Sequence, residues 1–184
     1  MATRPERRIT YEDYVTFPDN ERWEIVDGEA FLVPSPNESH QRVVGELHLQ
    51  IGGYLKTYGG GRVYVAPFDV VLDPGGDIVQ PDIVFIADED MHVLTDANVR
   101  GRPSWAIEVL SPSHPDRDRK LKLGRYERFG IPEYWICDPE AEAVEIYRLE
   151  GERYGEPTVM RAPERPSPLR PSGLSVDLSD VFPT

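Results

Sequence analysis

The sequence predicts an α/β (α+β) protein built on a mixed sheet, and three observations lead there. Helical and strand-like hydrophobic periods interrupt one another along the chain without regular alternation, which argues against an all-parallel βαβ stack. An Asp27-Gly28 pair between two strand-like runs predicts an N-terminal β-hairpin. An acid, Glu108, stands inside the apolar run Trp105 to Leu110, which otherwise reads as a buried strand. The 184 residues suffice for one domain with a sizeable core, read as 1–184 with the core at about 10–150 and a proline-rich C-terminal extension over 151–184.

Each element has its own signal. Thr10, with Asp13 three residues on, predicts a short helix start. Trp23 to Val26 and Glu29 to Val33 are the arms of the hairpin, because both central residues of a type I′ turn need positive φ. From Ser39 to Tyr58, Val43, Val44, Leu47, Ile51, Tyr54, Leu55 and Tyr58 recur at three- and four-residue intervals, and glycines 59–61 stop the helix. Strands are predicted over Arg62 to Val65, Phe68 to Leu72 and Asp82 to Ala87, with a turn at Asp73-Pro74-Gly75-Gly76. A helix near Asp90 to Leu94 follows, then the Glu108 strand, then a helix from about Asp116 to Phe129 closed by Gly130 and Pro132. Glu133 to Asp138 and Ala143 to Leu149 read as strands, and Leu174 to Leu178 as a last strand docking from the extended tail.

Composition excludes several classes. No apolar run approaches the roughly 20 residues needed to span a bilayer. The N-terminus has basic residues without an apolar stretch behind them, so it is not a secretory signal, and the chain reads as cytoplasmic. A single cysteine, Cys137, gives neither a disulfide framework nor a cysteine zinc site. The net charge of −13 does not advertise the basic face by which proteins grip a phosphate backbone. Two accounts stay open: acids concentrated at a metal site and on the back, or a partner that is not nucleic acid.

A buried unpaired carboxylate costs several kcal/mol, so Glu108 calls for a cation. Strand alternation places Asp82 with Val84 and Ile86, and Glu108 with Ala106 and Leu110, so each acid shares its face with apolar side chains. At about 100° per residue, Asp118, Lys122, Arg125, Tyr126 and Phe129 form one helix stripe, with Lys120 roughly opposite. If Tyr126 and Phe129 pack on the sheet, Lys122 points at it too. Two carboxylates can hold Mg²⁺ or Mn²⁺, which acidifies a bound water and offsets charge on a phosphorane. A lysine beside them can position the attacking water or stabilise the transition state.

Gln80-Pro81-Asp82, then Ile107-Glu108-Val109-Leu110-Ser111-Pro112-Ser113, then Asp118, Lys122 and Tyr126, then Gly130-Ile131-Pro132-Glu133-Tyr134-Trp135 and Asp138-Pro139 resemble the Uma family of "putative restriction endonucleases" in the PD-(D/E)XK nuclease superfamily. Trp23 to Glu29, and Ser35-Pro36 followed by His40, fit as well, so the resemblance covers roughly Thr10 to Leu149. It implies a restriction-endonuclease-like fold, a four-stranded mixed central sheet flanked by helices, with a divalent metal on Asp82 and Glu108. The superfamily's usual lysine position, two residues after the acid, holds Leu110 here. Members of this family resemble a variant with the lysine on the next helix, where Lys122 matches. The resemblance also implies site-lining roles for His40, Glu24 and Gln80.

The resulting expectation is a Mg²⁺- or Mn²⁺-dependent endonuclease acting on nucleic acid, with DNA ranked ahead of RNA and the choice between them left open. Asp82 and Glu108 hold the metal with the Val109 carbonyl as a third ligand, and Lys122 assists the nucleophile. Asp69 and Glu46 are further acids within reach, from a neighbouring strand and the long helix. A homodimer follows if both strands are cut. The competing expectation is a nuclease-fold binding or regulatory module without turnover, in which Glu108 and Lys122 form a structural ion pair. Tyr134 and Trp135 are expected in the core rather than on a base-stacking platform. The basic residues Arg117, Arg119, Lys120, Arg125 and Arg128 read as a solvated helix face.

Overall fold

The computed structural model describes residues 7–18, 20–111 and 121–183. Thr10 accepts the Asp13 amide while the Asp13 carboxylate accepts the Thr10 amide, a reciprocal cap that starts α1 (Tyr11–Tyr14). β1 (Trp23–Val26) and β2 (Glu29–Leu32) pair antiparallel, and their turn places Asp27 at φ 58° and Gly28 at φ 80°. That is the predicted type I′ hairpin. α2 (Glu38–Tyr58) starts where the Asn37 side chain accepts the His40 amide, and ends at Gly59 with φ 70°. Its buried stripe is His40, Val43, Val44, Leu47 and Ile51.

β3 (Gly61–Val65), β4 (Val70–Asp73), β5 (Asp77–Val79), β6 (Ile83–Ala87), β7 (Val99–Arg100) and β8 (Trp105–Val109) follow. The helix expected near Asp90 is a 3₁₀ turn over Asp88–Val93. Of the helix expected from Asp116, residues 116–120 lie outside the described residues, and α3 (Leu123–Arg128) is its last part. β9 (Glu133–Asp138) and β10 (Ala143–Glu150) match expectation, and β11 (Arg153–Tyr154), β12 (Thr158–Arg161) and α4 (Leu178–Val181) complete the described chain.

Two mixed sheets result. The central one runs β11-β10-β9-β8-β6-β3 with β12 also paired to β10, so the described residues supply seven strands where the resemblance implied four. Its single parallel pair is β8 with β9. The second sheet runs β2-β1-β5-β4-β7. One face of the central sheet, with Phe85, Trp105, Ile107 and Trp135, packs on α2 and α4. The other, with Val84, Ile86, Ala106, Tyr134 and Ile136, packs on Tyr126 of α3 and on Val26, Val70, Val79 and Val99 of the second sheet. Tyr134 and Trp135 are fully buried, as expected of core.

The tail corrects one expectation. Leu174, Val176, Leu178, Val181 and Phe182 bury in the α2 side of the core, but Leu174 to Leu178 is no strand. The Asp177 amide bonds the Gln50 side chain of α2 instead of a sheet edge. Prolines 163, 166, 168 and 171 lack the amides that a ladder requires. Among the described residues no helix is long and apolar enough to cross a membrane.

Candidate active site

Where β6 begins and β8 ends, the sheet leaves one amide without a strand partner. Ile83 pairs with Ile107, so continuing this antiparallel register by one residue sets Asp82 opposite Glu108. Asp82 then takes the place of the missing strand: its Oδ2 accepts the Val109 amide at 2.9 Å. Pro81 before it, with no amide to donate, is what ends β6 here. His40, in the first turn of α2, reaches the same oxygen with Nε2 at 3.1 Å.

On the other side, Lys122 stands at the entrance to α3 and sends Nζ to Glu108 Oε1 at 2.7 Å and Glu24 Oε1 at 3.0 Å. The Tyr126 hydroxyl, one turn further on, donates to the same Glu108 oxygen at 2.8 Å. Tyr126, Lys122 and Glu108 are 0%, 3% and 3% exposed. Lys122 and Tyr126 of the expected stripe therefore face the sheet, while Asp118 lies outside the described residues. Arg125, on the same stripe, is held by Asp27 in the hairpin turn and by Asp77 at 3.3 Å. Those bonds fix the roll of α3, so its face is set by an ion pair as well as by apolar packing. Arg117, Arg119 and Lys120 lie outside the described residues.

The electrostatics are those of an acid-rich interior. Burial pushes the Asp82 carboxyl up most strongly, but the hydrogen bond and charge of His40, the Lys122 charge and the Val109 amide together hold it below its ordinary value. An ionised Asp82 oxygen only accepts, so against that form His40 Nε2 is the donor. His40 Nδ1 is buried and finds no hydrogen-bond partner among the described residues. The Tyr126 hydroxyl is pushed far up, first by burial and then by the Glu108 charge, and so remains a donor.

A cavity of about 50 Å³ opens on this cluster, lined by Arg22, Pro34, His40, Asp82, Glu108, Val109, Ser111 and Lys122 among others. Asp82, Glu108 and Lys122 thus meet in one place. Glu24 joins them through Lys122, and Gln80 stands behind, its amide donating to Glu24 Oε1 at 2.9 Å. Two expected acids do not join. Asp69 turns to Tyr14 and Gln80, both at 2.8 Å, and Glu46 accepts from Gln50 on the α2 flank at 3.1 Å. Neither lines the cavity.

A family model described as "Uma2: Putative restriction endonuclease" matches residues 10–179. The chain belongs to the Uma2 family. This Uma2 chain is 24% identical over 160 residues to "Uncharacterized protein sll1609" of Synechocystis sp., covering 83% of the one and 88% of the other. Its fold is similar to the crystal structure of "a putative nuclease belonging to DUF820" from Anabaena variabilis, with TM-score 0.78, 21% identity, and 95% and 97% of the two chains covered. The restriction-endonuclease-like fold expected from the sequence is the fold found.

Some residues of the Uma2 site escaped sequence reasoning. Tyr126 had a signal, standing four residues after Lys122 on its stripe, but its hydroxyl could be assigned only with a partner in view. Arg22 had none: it precedes the hairpin as an ordinary surface residue would. In the structure it bonds Gln80 through Nε at 2.7 Å and through a terminal nitrogen to the Gln80 carbonyl at 2.8 Å.

Proposed function

We propose that this Uma2 chain is a metal-dependent endonuclease acting in the cytoplasm, hydrolysing phosphodiester bonds of DNA by water attack. The observation that carries the reading is the Lys122 ammonium on Glu108, in a cavity that Asp82 shares. An isolated structural ion pair would not require a second carboxylate aimed at the same opening.

The donor set fits a hard divalent cation. Asp82, Glu108 and the Val109 carbonyl offer oxygen only, and Mg²⁺ is ordinarily bound by one or two carboxylates with waters and substrate phosphates completing the shell. Among the described residues, Glu24 and Glu108 meet the Lys122 ammonium, Asp82 shares its cavity, and the Arg22 guanidinium stands at the rim.

Bound Mg²⁺ or Mn²⁺ supplies acidification of a water and charge offset at phosphorus. The chain's own groups do the rest. The Lys122 ammonium donates to the attacking water or to a non-bridging phosphoryl oxygen, where negative charge builds. Glu24 and Glu108 keep that ammonium charged and aimed. His40 holds the Asp82 carboxylate ionised and oriented. Tyr126 fixes Glu108 Oε1, and with it the tilt of the carboxylate. The water oxygen bonds phosphorus as the bond to the sugar oxygen breaks, the water giving a proton to solvent and the departing sugar oxygen taking one from it. Cutting both strands takes two such sites, so the acting form is a homodimer.

Plasmid nicking tests this. The chain should nick supercoiled DNA with Mg²⁺ or Mn²⁺, and Glu108→Gln and Lys122→Met should each lower the rate by about two orders of magnitude or more. Nicking that survives both substitutions would overturn the proposal. Absence of nicking with either metal, alongside unchanged DNA binding in the variants, would leave the binding module instead.

A further inference from the structure

Beside the Lys122 cavity lies a larger cleft of about 500 Å³ that the hydrolytic reading leaves unused. Its walls carry four aromatic rings, Tyr14, Phe17, Trp23 and Phe68. Phe17 meets Trp23 edge-on at 5.5 Å, and Phe68 is backed by Tyr64, stacked at 4.6 Å. Tyr14 in turn packs on Phe17 at 6.0 Å, so three of the rings form one braced row. Such a cleft is of the size that takes a small organic group, and its aromatic walls suit a flat one.

The floor is polar and its hydrogen bonding can be followed atom by atom. Gln80 is committed: Oε1 accepts from Arg22, and Nε2 donates to the Tyr14 hydroxyl at 3.0 Å and to Asp69 Oδ1 at 2.8 Å. Asp69 Oδ1 also accepts from the Tyr14 hydroxyl at 2.8 Å. Asp69 Oδ2 takes no hydrogen bond among the described residues. One acceptor, ionic and directional, is thus presented to whatever enters.

Arg22 decides what that is. It lines this cleft and the Lys122 cavity alike. A ligand that fills both openings is flat and aromatic at one end and anionic at the other, and it passes a guanidinium between them. A nucleotide strand has that form. We propose that the cleft binds one unpaired nucleobase of the strand whose phosphate enters the Asp82–Glu108–Lys122 cavity, and that Asp69 selects a base bearing an exocyclic amino group. This rests on the nuclease reading for the phosphate, and on the cleft's own geometry for the base.

The base is unpaired because its pairing edge must face Asp69 while its plane lies among the rings, which a stacked duplex does not allow. Adenine, cytosine and guanine each bring an amino group to a carboxylate oxygen. Thymine and uracil offer an imide N–H flanked by two carbonyl oxygens, which a carboxylate repels.

Binding of metal-free full-length chain to single-stranded trinucleotides that differ in the central base tests the proposal, read by tryptophan fluorescence. Trp105 and Trp135 are buried at 1% and 0% exposure, so quenching reports on Trp23 in the cleft. Saturable quenching is expected, with the thymine trinucleotide about tenfold weaker than the amino-bearing ones, the scale of one charged hydrogen bond. Phe68→Ala should weaken all of them about tenfold, the scale of one base stack. Asp69→Asn keeps an oxygen for Tyr14 and Gln80 but turns the free acceptor into a donor, which thymine O4 accepts as well as the other bases' ring acceptors do, so the roughly tenfold penalty on thymine should disappear. A merely structural role for Asp69 would leave the penalty in place or weaken all bases alike. Equal binding of all bases by the unaltered chain, or a penalty unchanged in Asp69→Asn, overturns the proposal. Base selection kept in a chain that never nicks DNA supports the cleft and overturns the nuclease reading. Nicking that persists while base selection is absent overturns the cleft alone.

Discussion

His40 Nε2 stands 3.1 Å from Asp82 Oδ2, the one carboxylate oxygen that also accepts the Val109 amide. The pair ties the first turn of the long helix to the end of the central sheet, across 42 residues of chain. It acts on Asp82 against a strong opponent, since burial alone would drive that carboxyl towards its neutral form.

His40→Ala should expose that opposition. The depressed Asp82 carboxyl contributes stability that is fully present above its unfolded value of 3.8 and is lost as pH falls through the folded value. Without His40 the loss should begin at higher pH. Urea midpoints of the metal-free chain, followed downward through this range, would show the displacement, and superimposed profiles would sink the assignment. The same variant should bind Mn²⁺ about 10–100-fold more weakly, as expected for losing a partner that orients a ligand, in calorimetric titration.

Lys122 sits between Glu108 and Glu24 at 2.7 and 3.0 Å, and all three are buried. Lys122→Ala removes the ammonium that bridges two buried carboxylates, and breaking a buried ion pair costs about 3–5 kcal/mol. Adding Glu24→Gln should restore part of that loss, because the repulsion between the two carboxylates is then gone. Denaturant unfolding of the single and double variants measures the recovery. A double variant no more stable than Lys122→Ala would mean that Glu24 is not coupled to the lysine.

Glu133 titrates in the opposite sense to Asp82. Burial raises its carboxyl above 4.5 and outweighs bonds from the Leu169 amide, the Trp135 indole and Arg148. A raised acid contributes stability that is full below the unfolded value and is lost as pH climbs through the folded one. Glu133→Gln should therefore flatten the decline in stability as pH rises past 4.5. Thermal midpoints across that range distinguish the two chains, and parallel slopes would count against it.

Much of the candidate site could be read before any coordinates. Asp82 and Glu108 announce themselves as acids among Val84, Ile86 and Ala106, because alternation is a rigid rule in strands. Lys122 follows from helical spacing with Tyr126. What stayed hidden depends on pairing between distant segments. β5 (Asp77–Val79) and β7 (Val99–Arg100) are too short for a period of two to register, so the second sheet was legible only as its hairpin and the strand predicted over Phe68 to Leu72. Asp69 looked like a ligand reaching in from a neighbouring strand, yet Tyr14, 55 residues away, and Gln80 draw it into the aromatic cleft. Leu174 to Leu178 has the alternation of a strand and buries as expected, but α2 supplies its partner through Gln50.

Asp27 lies at the tip of a hairpin remote in sequence from the reactive lysine, in a left-handed conformation that few residue types tolerate, and it grips Arg125. The turn is therefore an abutment for α3 as well as a way of reversing β1 into β2. Loosening it would let the helix roll, and the lysine would lose its aim with every atom of its own surroundings unchanged.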